Sequence, residues 1–226
     1  MPGSPHFCYH TDMKRLFLAS SGLTYIKQFV GSVPRKNRLL FIPTAANSDS
    51  DPWWIDKDRD ILSKMGFQIT EVDIAYADKP TQEQALAQAD IVYIAGGNTF
   101  YLLQQLRDSG FGQLLIDFVN AGGLYAGVSA GALVAGADIR PVETMDEPDK
   151  APGLASTEAL GFVSIVPIPH SNDKRVNALT SKYGKNYQLV YMTDDQAIVV
   201  EGDSWQIVES PMSQLEREWL ENKKVS

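Results

Sequence analysis

The strongest constraint in the chain is a Gly-x-Ser-x-Gly motif at the end of an apolar run. Residues 124–128 lead into Ser129, and small residues follow it at a spacing that suits a helix. This pattern predicts a nucleophile elbow, in which a strand turns sharply into a helix and leaves one hydroxyl at the apex. Gly127 and Gly131 fit that geometry because a Cβ beside a strained apex would clash. The helix N-terminus beyond Ser129 would favour developing negative charge.

A short motif of this kind also occurs by chance, as a plain strand–helix turn with a solvent-facing serine. A second stretch favours the catalytic interpretation. The apolar run 91–95 leads into Gly96 and Gly97, and Thr99 is placed to cap a helix that begins at Phe100. Glycines after a strand let backbone N–H groups point into a pocket, as an oxyanion hole requires.

A histidine completes the pattern. His170 ends an apolar approach, whereas His6 and His10 lie in an irregular segment near the N-terminus. If Ser129 needs an imidazole base, His170 is the candidate by elimination.

Taken together and in this order, three motifs resemble the peptidase E family. They are Ala-Gly-Gly-Asn-Thr-Phe, Gly-Val-Ser-Ala-Gly-Ala and Pro-His, and the resemblance runs from Met13 to the C-terminus. Members of this family are serine peptidases related to cyanophycinase. The resemblance implies a fold like that of the class I glutamine amidotransferase domain. The alternation of short apolar strands with helices also predicts an α/β fold, with a mostly parallel sheet covered by helices on both faces.

Apolar periodicity places the elements along the chain. We expect a flexible tail over residues 1–12 and a single α/β domain over 13–226. A turn is predicted at 34–37, and a loop that could rim a pocket at 45–52. A long acidic loop is predicted at 138–160, functional or flexible, which could form a flap near the site. Predicted strands cover 16–19, 39–44, 67–72, 91–94, 124–128 and 162–166, with a terminal meander at 189–192, 197–200 and 205–208. Predicted helices cover 24–30, about 54–65, 82–88, 102–106, 111–119, 174–183 and 213–221.

A serine–histidine pair needs a carboxylate that orients the imidazole and stabilises the imidazolium. In an α/β-hydrolase this acid lies between the serine and the histidine. The chain offers several acidic residues in that interval: Asp138, Glu143, Asp146 and Asp149.

The resemblance to peptidase E implies a different position, after the histidine and at the end of the next strand. Aligning residues 197–200 with the following strand of the family puts Asp194 on the family's acid, which is usually a glutamate. Asp195 remains possible, and the Asp194-Asp195 pair also suits a simple hairpin turn. We predict Asp194. Asp146 comes second, because an aspartate beyond the nucleophile helix has also been considered catalytic in the family.

The remaining site residues follow from the same logic. The backbone N–H groups of Ala130 and Gly97 are the predicted oxyanion hole. Asn98 either caps the following helix or lines the pocket, and Arg175 is a weak candidate for binding a substrate carboxylate. Aspartate-specific members of the family carry a longer segment here containing Gly-Glu-Thr-Arg, which this chain lacks.

Composition narrows the range of partners. A net charge of −8 and the absence of a basic stripe argue against a nucleic-acid partner. We expect no metal, because the sequence has no cluster of histidines and cysteines, and no cofactor, because it has no Gly-x-Gly-x-x-Gly fingerprint. The single cysteine, Cys8, rules out an internal disulfide and suits a reducing cytoplasm. We also expect no membrane segment, no secretory signal, and a monomer or homodimer.

The sequence therefore predicts a serine hydrolase that cleaves short peptides, as a dipeptidase or similar exopeptidase. A cyanophycinase-like or other small amide hydrolase would use the same residues. The non-enzymatic alternative is an amidotransferase-like binding domain with a vestigial pocket.

Overall fold

The structure is a computed structural model that describes residues 13–31 and 37–225. The predicted tail and most of the predicted turn at 34–37 lie outside the described residues. The strands are β1 (Arg15–Ala19), β2 (Arg38–Ile42), β3 (Gln68–Glu71), β4 (Ile91–Ile94), β5 (Leu124–Val128), β6 (Val166–Ile168), β7 (Leu189–Tyr191), β8 (Gln196–Glu201) and β9 (Ser204–Glu209). The α-helices are α1 (Ile26–Val30), α2 (Trp53–Lys64), α3 (Lys79–Gln88), α4 (Thr99–Asp108), α5 (Phe111–Asn120), α6 (Ala130–Val134), α7 (Asp173–Tyr183) and α8 (Gln214–Val225). Short 3₁₀ segments cover Thr44–Ser48, Arg140–Val142 and Pro148–Lys150.

A mixed central sheet organises the molecule, in the strand order β3-β2-β4-β5-β1-β8-β9. The first five strands in that order are parallel to one another, and β8 runs antiparallel to both β1 and β9. This confirms the predicted mostly parallel α/β fold. Because the parallel strands bring their carboxyl ends to one edge, that edge is where a site is expected.

The sheet is buried on both faces, and β1 shows how. Leu16 and Leu18 point into the core on one side, whereas Phe17 and Ala19 point into the core on the other. Side chains of a strand alternate between its faces, so a strand covered on both sides must be apolar at every position. The unbroken apolar runs of the sequence have this cause.

Two predicted features of the C-terminal half are wrong. The strand predicted at 162–166 is instead β6, which begins at Val166; Phe162 is buried in an irregular segment, where its ring packs edge-on against Tyr125 at 5.3 Å between centroids. The predicted terminal meander is also not formed, because β7 pairs in parallel with β6 in a separate two-stranded sheet and only β8 and β9 form a hairpin. Apolar runs report burial, and they do not report which strands pair.

Other differences concern the bounds of elements. The second strand ends at Ile42, before Pro43 and a 3₁₀ turn, and α1 begins at Ile26 rather than at residue 24. The 138–160 stretch is largely irregular, as predicted, with two 3₁₀ turns and an isolated bridge between Asp138 and Glu158. No helix within the described residues has both the length and the apolar character to cross a membrane.

The C-terminal helix α8 is anchored by a buried carboxylate. Glu216 is fully buried, and its Oε2 accepts hydrogen bonds from the backbone N–H groups of Ser213 (2.7 Å) and Leu23 (3.3 Å). The hydroxyl of Ser213 in turn accepts from the N–H of Glu216, which makes a reciprocal capping box. The other oxygen of Glu216 lies 3.6 Å from Lys57 Nζ on α2. The side chain of Glu216 therefore caps the N-terminus of α8 and connects the helix to Leu23 and to Lys57 on α2.

Glu216→Ala should lower the free energy of unfolding by about 3 kcal/mol. The substitution removes the acceptor of the N–H groups of Ser213 and Leu23 and a carboxylate partner of the buried Lys57 ammonium. Urea denaturation measures the loss. Glu218→Ala is the matched control, since Glu218 is exposed on the same helix and accepts a hydrogen bond from Gln214 (2.7 Å); its effect should stay within about 0.5 kcal/mol. Equal effects from the two variants would contradict the anchoring role.

Candidate active site

Ser129 stands at the apex of a sharp turn between β5 and α6. Its backbone has φ 52° and ψ −109°, which a residue with a side chain adopts only under strain. A Cβ added at Gly127 would lie 2.3 Å from the carbonyl oxygen of Gly131, so the turn requires glycine there. The structure thus contains the strand, elbow and helix that the motif predicts.

His170 lies two residues beyond β6 and faces Ser129. Its Nε2 is 3.0 Å from Ser129 Oγ, and its Nδ1 is 2.5 Å from Asp194 Oδ1. The imidazole is half-buried, with 40% of its side chain exposed, and its backbone also has a positive φ of 54°. The serine, the imidazole and the carboxylate therefore form one continuous line of contacts, in the order that nucleophilic catalysis needs.

Asp194 provides the carboxylate of this line from the turn before β8. It lies in a turn and also contacts the imidazole, so the turn is compatible with the catalytic role, which stays a prediction. Asp195 contributes its backbone carbonyl, which accepts from the N–H of Ser210 at 2.7 Å.

The other acidic candidates serve elsewhere. Asp146 accepts from the backbone N–H of Thr99 at 2.8 Å, at the start of α4, and burial raises the pKa of its carboxyl group. Asp138 accepts from the hydroxyl of Tyr187 (3.1 Å). Glu143 accepts from Lys182 (2.7 Å) and Tyr183 (2.6 Å), which lowers its pKa, and Asp149 lies in the 3₁₀ turn Pro148–Lys150. The carboxylate that the structure places on the imidazole is that of Asp194.

Ser20 is a positioning residue that the sequence analysis missed. It is fully buried directly after β1, and its hydroxyl oxygen accepts from the backbone N–H of His170 at 2.8 Å. The same hydroxyl donates to Asp194 Oδ1 at 3.4 Å. One hydroxyl thus fixes both the histidine and its acid. A signal was present, since a serine at the carboxyl end of a buried parallel strand is placed at the edge where sites form.

The glycine pair lies against the nucleophile, as predicted. A Cβ added at Gly96 would come within 3.2 Å of Ser129 Cβ, and one added at Gly97, where φ is 149°, would lie 2.2 Å from the carbonyl oxygen of Ala45. Trp54 holds this segment, because its indole Nε1 donates to the carbonyl of Gly96 at 3.0 Å. Trp54 was predicted only as an apolar helix position, and its indole N–H gave no signal of this role. The donor roles of Gly97 and Ala130 stay predictions.

The cap of α4 differs from the prediction. Asn98, not Thr99, is the N-cap, since its side-chain oxygen accepts from the N–H of Tyr101 at 2.8 Å and Thr99 is the first helical residue. Asn98 Nδ2 also donates to the carbonyl of Glu147 at 3.0 Å. Asn98 also lines a recess next to the glycine pair that is distinct from the cavity with Ser129 and His170, so its predicted role in the substrate pocket stays a prediction.

Arg175 faces the loop rather than open solvent. Its guanidinium donates to the backbone carbonyl of His170 and lies 3.4 Å from that of Pro169. The contacts make Arg175 a support for the histidine loop, and its binding of a substrate carboxylate stays untested. Within residues 13–31 and 37–225, no group of three or more histidine, cysteine or acidic side chains is arranged to hold a metal ion.

A serine elbow aligned with an imidazole and a carboxylate, on a mostly parallel α/β sheet, defines a serine hydrolase with a class I glutamine amidotransferase-like fold. The model of peptidase family S51 matches residues 16–208 of the chain. The chain therefore belongs to peptidase family S51 and is a serine-type peptidase.

Individual relatives agree with this membership. An uncharacterized peptidase of Pasteurella multocida is 33% identical over 199 residues, covering 85% of this chain and 96% of its own length. Peptidase E of Salmonella arizonae is 33% identical over 131 residues, covering 58% of this chain and 54% of its own. The crystal structure of a candidate peptidase E from Listeria monocytogenes EGD-e superposes with a TM-score of 0.80 at 31% identity, over 87% of this chain and 98% of its own.

The rate at which a fluorophosphonate labels Ser129 tests the roles of His170 and Asp194, and this measurement needs no known substrate. Asp194→Asn should slow labelling of Ser129 by roughly a hundredfold or more, because an amide favours the wrong tautomer of His170 and removes the counter-charge of the imidazolium. Asp195→Asn and Asp146→Asn are the matched controls and should stay near the unmodified rate, with folding of each variant checked by circular dichroism. A loss confined to either control would move the acid to that residue.

Proposed function

We propose that the protein is a dipeptidase or similar exopeptidase that cleaves short peptides through Ser129, His170 and Asp194. The observation that carries the proposal is the line of contacts from Ser129 Oγ to His170 Nε2 (3.0 Å) and from His170 Nδ1 to Asp194 Oδ1 (2.5 Å). Membership of family S51 supports peptide-bond hydrolysis as the reaction.

In the proposed first step, Ser129 Oγ bonds to the carbonyl carbon of the scissile peptide while His170 Nε2 takes its proton. Negative charge develops on the carbonyl oxygen, and the backbone N–H groups of Gly97 and Ala130 are the proposed donors to it. Asp194 stays ionised and stabilises the imidazolium. The carbon–nitrogen bond then breaks as His170 returns the proton to the leaving amine, which leaves an acyl group on Ser129.

In the second step, a water molecule gives a proton to His170 and its oxygen attacks the acyl carbon. Collapse of this intermediate releases the new carboxylate and returns the proton to Ser129 Oγ. One water is consumed for each bond cleaved, and the chain's own residues supply every proton transfer.

The surroundings of Gly97 support cleavage near a free N-terminus. A recess that Gly97 also lines is bordered by the acidic side chains of Asp49, Asp146 and Glu147. Burial raises the pKa of Asp49, and the charges of Asp146 and Glu147 raise it further. Lys150, whose Nζ lies 3.6 Å from Glu147 Oε2, lowers the pKa of Asp49 and offsets part of this repulsion. A further cation would relieve the rest, and the α-amino group of a short peptide is one.

Ser129→Ala should reduce hydrolysis of susceptible dipeptides by about a thousandfold or more while leaving the fold intact, because no other group replaces the nucleophile. The rate of release of free amino acids measures the effect. Ser63→Ala is the control, since Ser63 is exposed on α2 and does not line the site. Turnover by Ser129→Ala at the unmodified rate would reject the mechanism.

The exopeptidase character has its own test. N-acetylation removes the positive charge of the α-amino group, so N-acetylated dipeptides should lose at least about tenfold in kcat/KM relative to their free counterparts. Competition of the two forms in one reaction, followed by liquid chromatography, measures the ratio. Equal cleavage would contradict recognition of a free N-terminus.

A further inference from the structure

Ser129 lines a cavity of about 270 Å³, and His170, Gly96 and Gly97 line it as well. Most of its wall surface is apolar, and the large apolar side chains come from α2, β5 and the C-terminal segment. Trp53 and Trp54 stand at the start of α2, Val128 ends β5, and Met212 and Leu220 belong to the C-terminal segment. Since pockets for drug-sized ligands run from about 300 to 1,000 Å³, this cavity suits a single large side chain better than an extended segment.

The charged residues at the cavity do not make it a site for a charged side chain. Lys57 and Asp58 also line it, yet only 6% and 4% of their side chains are exposed, so the surface offered to a ligand is mostly carbon. Lys57 Nζ already lies 3.1 Å from Asp58 Oδ1 and 3.6 Å from Glu216 Oε1. The hydroxyl of Tyr93 donates to the second oxygen of Asp58 at 2.7 Å.

These contacts set the energetics of the two charged classes of substrate. A carboxylate entering the cavity would meet an ammonium that two carboxylates already share. An ammonium would meet both Lys57 and Asp58, and although Asp58 Oδ1 accepts no hydrogen bond among the described residues, only 4% of the Asp58 side chain is exposed to an incoming group. Either charged group would also lose its hydration against the apolar walls, which costs several kcal/mol. Lys57 and Asp58 already interact with each other, so they do not offset this cost. An apolar side chain has no such cost, and its burial is favourable by about 1.5–3 kcal/mol.

The C-terminal helix places one wall of this cavity. The ring of Trp219 stacks against Trp53 at 6.2 Å between centroids, and Glu216 ties α8 to α2 through Lys57. Met212 and Leu220 lie beyond the residues 16–208 that the family model matches. The shape of the cavity is therefore set in part by a segment outside the residues that the family model matches.

We infer that this cavity is a side-chain pocket that selects a bulky apolar residue, such as leucine, methionine or phenylalanine, next to the scissile bond. The inference rests on the proposed peptidase function and specifies its substrate class. Arg175 fits it, because its guanidinium is engaged with the loop carbonyls of Pro169 and His170 rather than facing the cavity.

Two sets of free dipeptides test the inference, Xaa-Ala and Ala-Xaa, with leucine, phenylalanine, aspartate, lysine or glycine at Xaa. In one of the two sets, kcat/KM for leucine or phenylalanine should exceed that for each of the other three by at least about tenfold. The stoichiometry of fluorophosphonate labelling counts the active sites, so rates are expressed per functional molecule.

Leu220→Phe connects the preference to the cavity. The larger ring reduces the space, so the ratio of kcat/KM for phenylalanine over glycine in the preferred set should fall at least about fivefold. Glu218→Ala, on the exposed face of the same helix, should leave that ratio unchanged. If Leu220→Phe folds poorly, Met212→Phe is the second variant, because Met212 lines the same cavity from the loop before α8 and the same fall in the ratio is expected.

Each alternative result has a distinct meaning. Preference for aspartate, preference for lysine, or no preference in either set would overturn the inference while leaving the peptidase proposal standing. Failure of every dipeptide together with failure of Ser129 to label would overturn the proposed function itself. If Ser129 labels but no dipeptide is cleaved, protection from labelling decides: stronger protection by the leucine than by the aspartate dipeptides supports the pocket, and the reverse overturns it.

Discussion

The carboxyl end of β1 clamps the two most strained residues of the site. Among the described residues, Ser129 and His170 are the non-glycine positions with positive φ. The N–H of Ser129 donates to the carbonyl of Ala19 at 3.0 Å, and the N–H of His170 donates to the hydroxyl of Ser20 at 2.8 Å. Such conformations cost about 1–3 kcal/mol each and persist only where neighbours determine them. Here the neighbours are Ala19 and Ser20, two adjacent residues at the carboxyl end of β1. Their hydrogen bonds fix the backbones of Ser129 and His170, and the distance between the hydroxyl and the imidazole follows from these two fixed positions.

This arrangement explains how an exposed acid can serve the site. The side chain of Asp194 is 63% exposed, and a charge so close to solvent contributes little electrostatic energy by itself. Its contact with His170 Nδ1 instead fixes which nitrogen carries the proton, and the hydroxyl of Ser20 donates to the same carboxylate oxygen. The proposed role of Asp194 is thus first to orient the imidazole and second to balance its charge. The turn before β8 brings the short side chain of Asp194 within contact distance of the imidazole.

What the sequence could predict followed from local chemistry. The elbow at Ser129 and the glycine pair at Gly96 are local patterns whose backbone demands are visible in the residues themselves. His170 was found by elimination, and Asp194 by alignment to a family whose order of motifs the chain shares. Neither argument uses distance, so neither could show that the groups touch.

The rest depended on tertiary neighbours. Ser20 gains its role only because β1 lies next to β5 and the loop after β6 crosses its end, and Trp54 gains its role from one hydrogen bond across the fold. The pairing of β6 with β7 was missed for the same reason. A run of apolar residues such as 162–166 reports that a segment is buried, which irregular backbone can satisfy as well as a strand.

The chemistry and the proposed selectivity of this protein come from different parts of the chain. Ser129 directly follows β5, His170 lies two residues beyond β6, and Asp194 lies in the turn before β8. None of the three belongs to α8. Met212 and Leu220 contribute to the cavity wall, and α8 is held by the buried carboxylate of Glu216. A change in the C-terminal segment can therefore reshape the cavity without moving the aligned groups.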